Sequence, residues 1–459
     1  MRRLLFTGAV CAVLLCPASR SVLAEGPGYT ITNLGTFSGV VPFITGINAS
    51  GAVSGWVHTG LGDRALRYTD SGGWALIPGL ESITSYAFGI NDHGDVVGTA
   101  LLANGDIRAF RYTDGGSVEF VAPLDGGRST QGYGISNTGE MTGYGDKSNF
   151  TTVAFRQMPG LLAQPIDAFG SSYSAGCGIN DSGQVAGSFM TPDNLLHGFR
   201  ANVDGTVAEI SGLNGPESQN FPCAIDGDGN VTGQAETATG ALHAFLFSSV
   251  NPLDLDSFGS TGSAGIAISN GVVVGTYTLP DNVSTHAFRY DRTTGTVDLN
   301  TLLPSASGWV LTDGGAVNAK GVMAGQGTLN GASAAWKLSP PSDTTPPTIA
   351  ALSVSPSALK PDHKMTPVVV SVSATDDVDP HPSCSITAID ATDGDPGDAA
   401  ITGPLTASVL SAKDARGNTR VYTLTVTCSD ASRNASTGTV TVQVAGNGAS
   451  KALTRIKGD

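Results

Sequence analysis

Three histidines recur at one position of a repeated sequence frame. His197, His243 and His286 begin the segments "HGFR", "HAFLF" and "HAFRY". Equivalent histidines on neighbouring repeats could ligate a metal ion, since imidazole nitrogen is a common zinc ligand. Arginine, valine or small residues stand at this position in the other repeats. A continuous metal cluster is therefore not expected, and we predict hydrogen bonds between neighbouring units for these side chains.

The sequence lacks the short motifs that mark common catalytic sites. It contains neither G-x-S-x-G nor H-E-x-x-H. Glycoside hydrolysis would need two carboxylates aimed at one substrate, but most Asp and Glu residues fall in turns that the repeat itself explains. We expect a protein without catalytic activity. A polysaccharide-degrading enzyme is the alternative.

Acidic residues cluster in two places that resemble parts of calcium sites. "DGDGN", residues 226–230, lacks the glutamate of a complete EF-hand loop and occupies a turn of the repeat, so we interpret it as turn chemistry. Asp376, Asp377 and Asp379 offer the hard oxygen ligands that Ca²⁺ prefers. Two interpretations of this second cluster stay open, a calcium site and a solvated acidic loop. No other cofactor is expected.

The N-terminus predicts export. Residues 1–24 contain Arg2 and Arg3, an apolar run and small residues before a cleavage point after Ala24, which is the pattern of a secretory signal peptide. We predict a secreted or extracellular protein, with the periplasm or cell surface as alternatives. No later segment has the ~20 apolar residues that span a membrane.

Four cysteines remain after the predicted signal peptide, and an even number outside the cytosol favours disulfides. We predict that Cys384 and Cys428 join two strands. Cys177 and Cys223 occupy equivalent places in neighbouring repeats. Whether they form a second bridge depends on whether their Cα atoms come within about 7 Å.

Composition limits the function classes. The chain has 459 residues, 61 glycines, 14% charged residues and a formal net charge of −15. This composition suits a turn-rich β protein, and its acidic balance argues against electrostatic binding to nucleic acid or anionic membranes. We expect a monomer whose partner is an extracellular glycan or protein.

A repeat of about 45 residues covers most of the chain. Each unit has an isoleucine in a "GIN"-type segment, such as Ile90, and then an aromatic residue 19 or 20 positions later, such as Phe110. An apolar residue follows after 13 or 14 more positions, as at Leu124 and Phe169. Only the spacing to the next unit varies, from 10 to 15 residues. All three anchors are predicted to be core.

Each unit predicts four short antiparallel strands separated by Asn/Asp/Gly turns, which is one propeller blade. Seven units predict a seven-bladed β-propeller over residues 25–338. "YTITNLG", residues 29–35, matches the fourth strands, whereas the last unit stops after its third strand. The N-terminal strand can therefore close the last blade and remove exposed edges. A β-solenoid is the alternative.

The segments "HAFRY", "HAFLF", "HGFR" and "GINxxGxxxG" resemble the HAF repeats of bacterial extracellular proteins. The resemblance covers roughly residues 29–338. It implies an exported repeat protein and brings no catalytic residues.

A second module follows a Pro/Ser/Thr-rich linker at 339–347. Alternating apolar residues over 348–446 predict a β-sandwich. "SATDDVDPHPSC" and "CSDASRNASTGTVTVQV" resemble bacterial immunoglobulin-like and HYR-type modules, which implies a spacer or adhesive unit. Residues 447–459 are predicted to be a flexible tail.

Variable loops on a rigid scaffold are where recognition usually resides. The long connections at 35–45 and 303–315 enter the first and last blades, which are neighbours in a closed ring. We predict that they bring Phe37, Phe43 and Trp309 together. These residues either cap the seam or form an aromatic platform for a sugar or partner chain.

Overall fold

The structure, a computed structural model, describes residues 29–249, 251–341, 343–377, 379, 382–392, 396–414, 416–430, 432 and 434–444. The predicted signal peptide (1–24) and tail (447–459) lie outside these residues. The chain divides into two compact units after Pro341, within the segment predicted as a linker. Among the described residues, no helix has the length and hydropathy needed to cross a membrane.

The first unit is built from short strands. In chain order they are β1 (Thr30–Asn33), β2 (Phe43–Ile47), β3 (Val53–Thr59), β4 (Gly62–Thr69), β5 (Gly73–Leu76), β6 (Thr84–Ile90), β7 (Val96–Leu101), β8 (Ile107–Tyr112), β9 (Val118–Phe120), β10 (Thr130–Ile135), β11 (Met141–Asp146), β12 (Thr152–Gln157), β13 (Gln164–Pro165) and β14 (Ser174–Ile179). They continue with β15 (Val185–Met190), β16 (Leu196–Ala201), β17 (Val207–Ile210), β18 (Asn220–Ile225), β19 (Val231–Glu236), β20 (Leu242–Phe247), β21 (Pro252–Asp254), β22 (Ser263–Ser269), β23 (Val272–Thr278), β24 (Thr285–Asp291), β25 (Gly295–Asp298), a short 3-10 helix (Leu299–Leu302), β26 (Trp309–Val317), β27 (Met323–Leu329) and β28 (Ala332–Ser339).

These strands pair into four-stranded antiparallel sheets in chain order. Sheets I to VI are β2–β5, β6–β9, β10–β13, β14–β17, β18–β21 and β22–β25. Sheet VII consists of β26, β27, β28 and, at its outer edge, β1. Thr30 pairs with Ser339 and Asn33 with Trp336, so the first strand completes the last sheet. This is the pairing expected from the complementary ends of the repeat array.

The first strands of successive sheets contact one another, and β26 of sheet VII contacts β2 of sheet I. Glycine permits the close approach: a Cβ on Gly178 would lie 3.1 Å from Cα of Ala224 in the next sheet. The sheets therefore form a closed ring. Antiparallel four-stranded sheets packed around a common axis constitute a β-propeller.

A buried asparagine in the turn after a first strand links one sheet to the next. Oδ1 of Asn48 accepts hydrogen bonds from the backbone N–H groups of Ser50 and Ala52, and Nδ2 donates to the carbonyl of Asn91 at 3.0 Å. Asn91, Asn180 and Asn318 make the same bond to the following sheet. The bond from Asn318 to the carbonyl of Asn48, at 2.8 Å, connects the last sheet to the first.

An arginine that follows the aromatic anchor makes a second link between sheets. Arg111 donates from Nη1 to the carbonyl of Gly139 in the next sheet at 2.7 Å. Arg67, Arg156 and Arg200 donate to the equivalent turn carbonyls of their neighbours. In sheets I to IV the arginine after the aromatic anchor thus holds the glycine turn of the following repeat. Arg289 of "HAFRY" differs, because it donates to the hydroxyl of Tyr29 and to Asp291.

The aromatic anchors fill the space between sheets. The residues at this position are all buried, namely Leu66, Phe110, Phe155, Phe199, Phe245, Phe288 and Trp336. The prediction that the third anchor is always core is wrong at Phe169. That side chain is 52% exposed, and its backbone φ of 59° turns it out of the sheet and against Phe189 at 4.7 Å between ring centroids.

The second unit contains two four-stranded sheets. Its strands are β29 (Thr348–Ser355), β30 (Ala358–Leu359), β31 (Met365–Thr375), β32 (Ser383–Ala391), β33 (Ala399–Gly403), β34 (Thr406–Leu410), β35 (Arg420–Ser429) and β36 (Ala435–Val444), with a short 3-10 helix at Pro396–Asp398. The sheet orders are β29-β31-β34-β33 and β30-β36-β35-β32. Cys384 of β32 and Cys428 of β35 lie opposite each other in one sheet and form the predicted disulfide.

Deleting residues 29–34 should destabilise the whole first unit. The deletion removes β1 together with Ile31 and Leu34, which are 2% and 4% exposed, and leaves β28 as an open edge. Scanning calorimetry should show a lower melting temperature for the ring and an unchanged transition for the second unit. An unchanged ring transition would contradict closure by β1.

Arg111→Leu should lower the free energy of unfolding by about 2 kcal/mol, because the buried carbonyl of Gly139 loses its donor. Leucine is the residue at the equivalent position 246. Arg292→Leu is the matched control, since Arg292 is exposed. Urea unfolding of both variants measures the difference, and equal effects would refute the link between sheets.

Candidate functional site

The three aromatic residues predicted to form a platform do not meet. Phe43 begins β2 and is 42% exposed. Phe37 is half-buried in a tight turn that pairs it with Val40. Trp309 is only 8% exposed and packs in the core cluster of sheet VII beside Leu303 and Trp336. Of the two alternatives, the aromatic platform is therefore wrong for Trp309, because its ring packs in the core with Val274 and Ala287 of sheet VI and away from solvent.

Phe43 instead begins a run of aromatic rings, which we call the aromatic arc. Its members are Phe43, Trp56, Tyr86, Phe88, Tyr133, Tyr144 and Tyr173. Successive ring centroids are 4.3, 5.2, 6.3, 4.9, 5.8 and 6.5 Å apart. The arc crosses from sheet I to the start of sheet IV. None of its side chains is fully buried, so it offers a partly solvated aromatic surface.

The repeat places these rings through a β-bulge in the first strand. The pairing register shifts in sheets I to VI at Thr45, Phe88, Tyr133, Cys177, Cys223 and Ile266. A bulge leaves one residue unpaired and re-aims its side chain. Each bulged residue stands two positions before the "GIN"-type isoleucine. Comparing the repeats at this position, and at the position two residues earlier, could have identified Phe88, Tyr133 and Tyr86 from sequence.

The arc begins near one end of the sheets, which we call the variable-loop face. This face carries the turn between second and third strands and the incoming connection from the preceding sheet. Phe43 is the first residue of β2 and pairs with Trp56, the middle residue of β3. Phe88 and Tyr133 lie further along their strands, two residues before the isoleucines that end them. The first ring of the arc and the connections of variable length therefore share one face, and the rest of the arc extends from it along the first and second strands.

Tyr133 and Tyr173 of the arc remain neutral hydrogen-bonding groups. Burial, followed by the nearby Tyr144, raises the pKa of Tyr133 far above its usual value. Burial also raises the pKa of Tyr173. Phenols in this state donate and accept hydrogen bonds without carrying charge. The arc can thus offer apolar ring surface together with polar hydroxyls.

Cys177 and Cys223 are free thiols, so the second disulfide left open by the sequence is not formed. Burial raises the pKa of Cys177 to about 12, with a further contribution from Cys223. Cys223 has accessible surface, but protein atoms surround it closely enough that burial raises its pKa to about 11. Both side chains project from bulges in adjacent first strands, and neither forms the reactive thiolate near neutral pH.

The recurring histidines pair with carboxylates of the same sheet. Nδ1 of His197 lies 2.6 Å from Glu209, and Nδ1 of His243 and His286 lies 2.9 and 2.8 Å from Asp254 and Asp298. Each contact joins the third strand of a sheet to the fourth strand of the same sheet. Asp254 and Asp298 are the last residues of their strands. The prediction that these histidines bond to a neighbouring unit is therefore wrong, because the carboxylate partner of each lies within its own unit.

The contact between His286 and Asp298 stabilises the fold and does not mark a catalytic pair. Burial opposes ionisation of Asp298, but hydrogen bonds from His286 and Asn300 outweigh burial and lower its pKa. Asp298 also accepts a hydrogen bond from Tyr277 at 3.0 Å. An ionised carboxylate with these donors anchors the end of β25 and is poorly suited to act as a general acid.

Three carboxylates converge in the second unit. One oxygen from each of Asp343, Asp376 and Asp377 lies within 4.8 Å of the others. The backbone N–H of Thr345 lowers the pKa of Asp343, but burial and neighbouring carboxylates together raise it above its usual value. The three oxygens could hold a hard cation, and calcium binding stays a prediction.

The membership of this cluster differs from the sequence expectation. The backbone N–H of Asp379 donates to Oδ1 of Asp376 at 2.8 Å, so Asp379 closes the turn and is not one of the three converging carboxylates. Asp343 takes that place. Its position in the Pro/Ser/Thr-rich linker concealed it, because only folding brings the linker beside the loop that follows β31.

No family model matches the chain, and no curated protein matches it. Among solved structures, it is similar to oligogalacturonate lyase from Vibrio parahaemolyticus at 10% identity, covering 69% of this chain and 98% of that chain with a TM-score of 0.46. The β-propeller domain of the Trilobed protease from Pyrococcus furiosus matches at 10% identity, 67% and 100% coverage and a TM-score of 0.45. Aleuria aurantia lectin in complex with alpha-methyl-L-fucoside matches at 10% identity, 58% and 96% coverage and a TM-score of 0.34.

Both free thiols should react slowly with iodoacetamide in the native protein at about pH 7.5. Their raised pKa values leave almost no thiolate, whereas an unfolded cysteine has a pKa near about 8.5. Peptide mapping after timed labelling, with and without urea, gives the two rates. Fast native labelling of Cys177 would contradict the burial that raises the pKa of its thiol.

Proposed function

We propose that the first unit is a seven-bladed β-propeller and the second an immunoglobulin-like sandwich, in an exported protein of the HAF-repeat type. Seven sheets in the described part of the first unit, their closed ring of contacts and the matching repeats support the blade number. The disulfide suits an oxidising compartment outside the cytosol.

The propeller binds an extracellular glycan or protein through the variable-loop face and does not catalyse a reaction. The observation that carries this proposal is the aromatic arc, in which seven partly exposed rings follow one another across four sheets. Rigid aromatic side chains supply large contact area at low entropic cost, which suits stacking against sugar rings or an extended chain. A surface longer than a single sugar favours a polymeric ligand.

The carboxylates of this face support binding over catalysis. Asp281, in the turn between β23 and β24, accepts hydrogen bonds from Ser284 and the backbone N–H of Val283, which lower its pKa. Asp193 lies in the equivalent turn of sheet IV, and the hydrogen bond that it accepts from Thr191 lowers its pKa. Groups held ionised as turn acceptors serve the fold, whereas a general acid needs a raised pKa.

The second unit acts as a spacer or adhesive module. Its described residues form two sheets over one hydrophobic core, and the disulfide joins adjacent strands of one sheet. Such a cross-link restricts the unfolded chain and stabilises the module by roughly 3–4 kcal/mol in the chain-entropy model.

Phe43→Ala should weaken ligand binding about tenfold or more, since it removes the exposed terminal ring of the arc. The purified protein is first tested on a polysaccharide array for retention and for hydrolysis products, and the variant is then measured on the ligands retained. Phe150→Ala is the matched control, because Phe150 is 90% exposed at a loop tip and makes no contact within the arc.

Unchanged affinity of a folded Phe43→Ala protein would remove the arc as the binding surface. Release of oligosaccharides by the wild-type protein would replace the binding function with an enzymatic one. Melting temperatures of both variants serve to exclude unfolding as the cause of lost binding.

A further inference from the structure

The seam between sheets VII and I places polar groups beside the terminal rings of the aromatic arc. Asp313 and Gln326 pair across β26 and β27, as Phe43 and Trp56 pair across β2 and β3. Nε2 of Gln326 donates to the carbonyl of Pro42, the residue before Phe43, at 3.2 Å. A carboxylate and an amide therefore occupy the register position that the aromatic pair occupies in the adjacent sheet, and the amide bonds to the residue before Phe43.

Asp313 is the only charged residue at this register position of the ring. The equivalent pairs in sheets I to VI are Phe43–Trp56, Tyr86–Thr99, Gln131–Tyr144, Ala175–Ser188, Phe221–Gln234 and Ala264–Thr276. The repeat does not require a carboxylate there, because six sheets form without one. The charge at the seam is thus a feature of this site and not of the fold.

The orientation of Asp313 is held by the neighbouring sheet. Oγ1 of Thr276 in sheet VI donates to Oδ1 of Asp313 at 2.6 Å. The side chain of Asp313 is half-buried. A carboxylate fixed in this way loses little conformational freedom when a ligand binds, which favours its use as a partner for a positive charge.

The surrounding face is also acidic. The turns between second and third strands contain or adjoin carboxylates in sheets II to VI, namely Asp106, Asp146, Asp193, Glu236 and Asp281. Arg108 pairs with Asp106 at 2.7 Å and Lys147 directly follows Asp146, so Asp193, Glu236 and Asp281 supply the acidic excess of these turns. The net charge of the chain is −15. This field disfavours anionic polysaccharides and attracts cationic ligands.

We propose that the seam site binds a glycan that carries free amino groups, with Asp313 as the anionic partner of an ammonium group. This inference rests on the proposed binding function and names its ligand class. The carboxylate makes a charge-assisted hydrogen bond to the ammonium. The Phe43–Trp56 rings stack on the sugar and attract the positive charge through their π faces.

The test uses two soluble oligomers of equal length, a β-1,4-glucosamine oligomer and its fully N-acetylated counterpart. Calorimetric titrations of the full chain are run at about pH 5.5, well below the usual pKa of an amine. We expect about tenfold tighter binding of the glucosamine oligomer at low salt, with the preference reduced by added salt. Asp313→Asn should remove the preference while leaving affinity for the acetylated oligomer unchanged.

Asp228→Asn is the matched control. It removes the same charge from an exposed turn at the opposite end of sheet V and should leave the preference intact. Equal loss in both variants would assign the effect to net charge alone and overturn a role for Asp313. Asp313→Asn keeps the size of the side chain, and its melting temperature shows whether the bond from Thr276 is maintained.

The remaining outcomes separate the two proposals. Equal affinity for both oligomers, unaffected by Asp313→Asn but weakened by Phe43→Ala, would overturn the amino-sugar inference and leave glycan binding in place. Binding of neither oligomer would also overturn it. In that case, binding of polylysine that depends on Asp313 would identify a basic protein segment as the ligand class, and binding of neutral or anionic array glycans would identify another sugar.

Discussion

A buried asparagine at an equivalent position in several repeats bridges each of those sheets to the next, and the closed fold depends on these bridges. Within its own turn, the asparagine oxygen accepts two backbone N–H groups, while its nitrogen reaches a carbonyl of the next sheet. One side chain therefore sets both the shape of the turn and the distance between sheets. A ring must return to its starting point, so an error in the distance between sheets would accumulate around the ring. The bond from Asn318 to the carbonyl of Asn48 can form only if no such error accumulates.

The bridges are redundant enough to tolerate substitutions. Where Ser136 replaces the asparagine, its neighbour Asn137 donates to Asp181 of the next sheet and to Asp92 of the previous one. Where Asp226 replaces it, the backbone N–H of Gly271 donates to its carboxylate instead. Sheet V has Leu246 in place of the linking arginine, and the turn that follows in sheet VI is shorter. At Ser136 and Asp226 the links between sheets are thus kept by other polar groups, as a water-poor interior requires.

A scaffold held from one end leaves the other end free to vary. The asparagine and arginine links lie at the turns between first and second strands, whereas the connections of variable length and Phe43, the first ring of the aromatic arc, lie at the opposite end. The bulged position carries an aromatic residue in sheets II and III, and cysteine or isoleucine in sheets IV to VI. The repeat thus produces a symmetric frame with an asymmetric surface, and asymmetry is what selects one ligand over another.

The sequence by itself determined the strand-and-turn periodicity, the aromatic core anchors, the role of the N-terminal strand and the pairing of Cys384 with Cys428. These features depend on local turn chemistry and on alternation along one strand, and both are visible in residue order. The tertiary structure decided where Trp309, Phe169, Asp343 and the free thiols lie, and which rings join Phe43. Those outcomes depend on the bulge, the sign of φ and the distance between chain segments remote in sequence. Spacing along the chain does not encode such distances, because the ring brings residues more than two hundred positions apart into hydrogen-bonding contact.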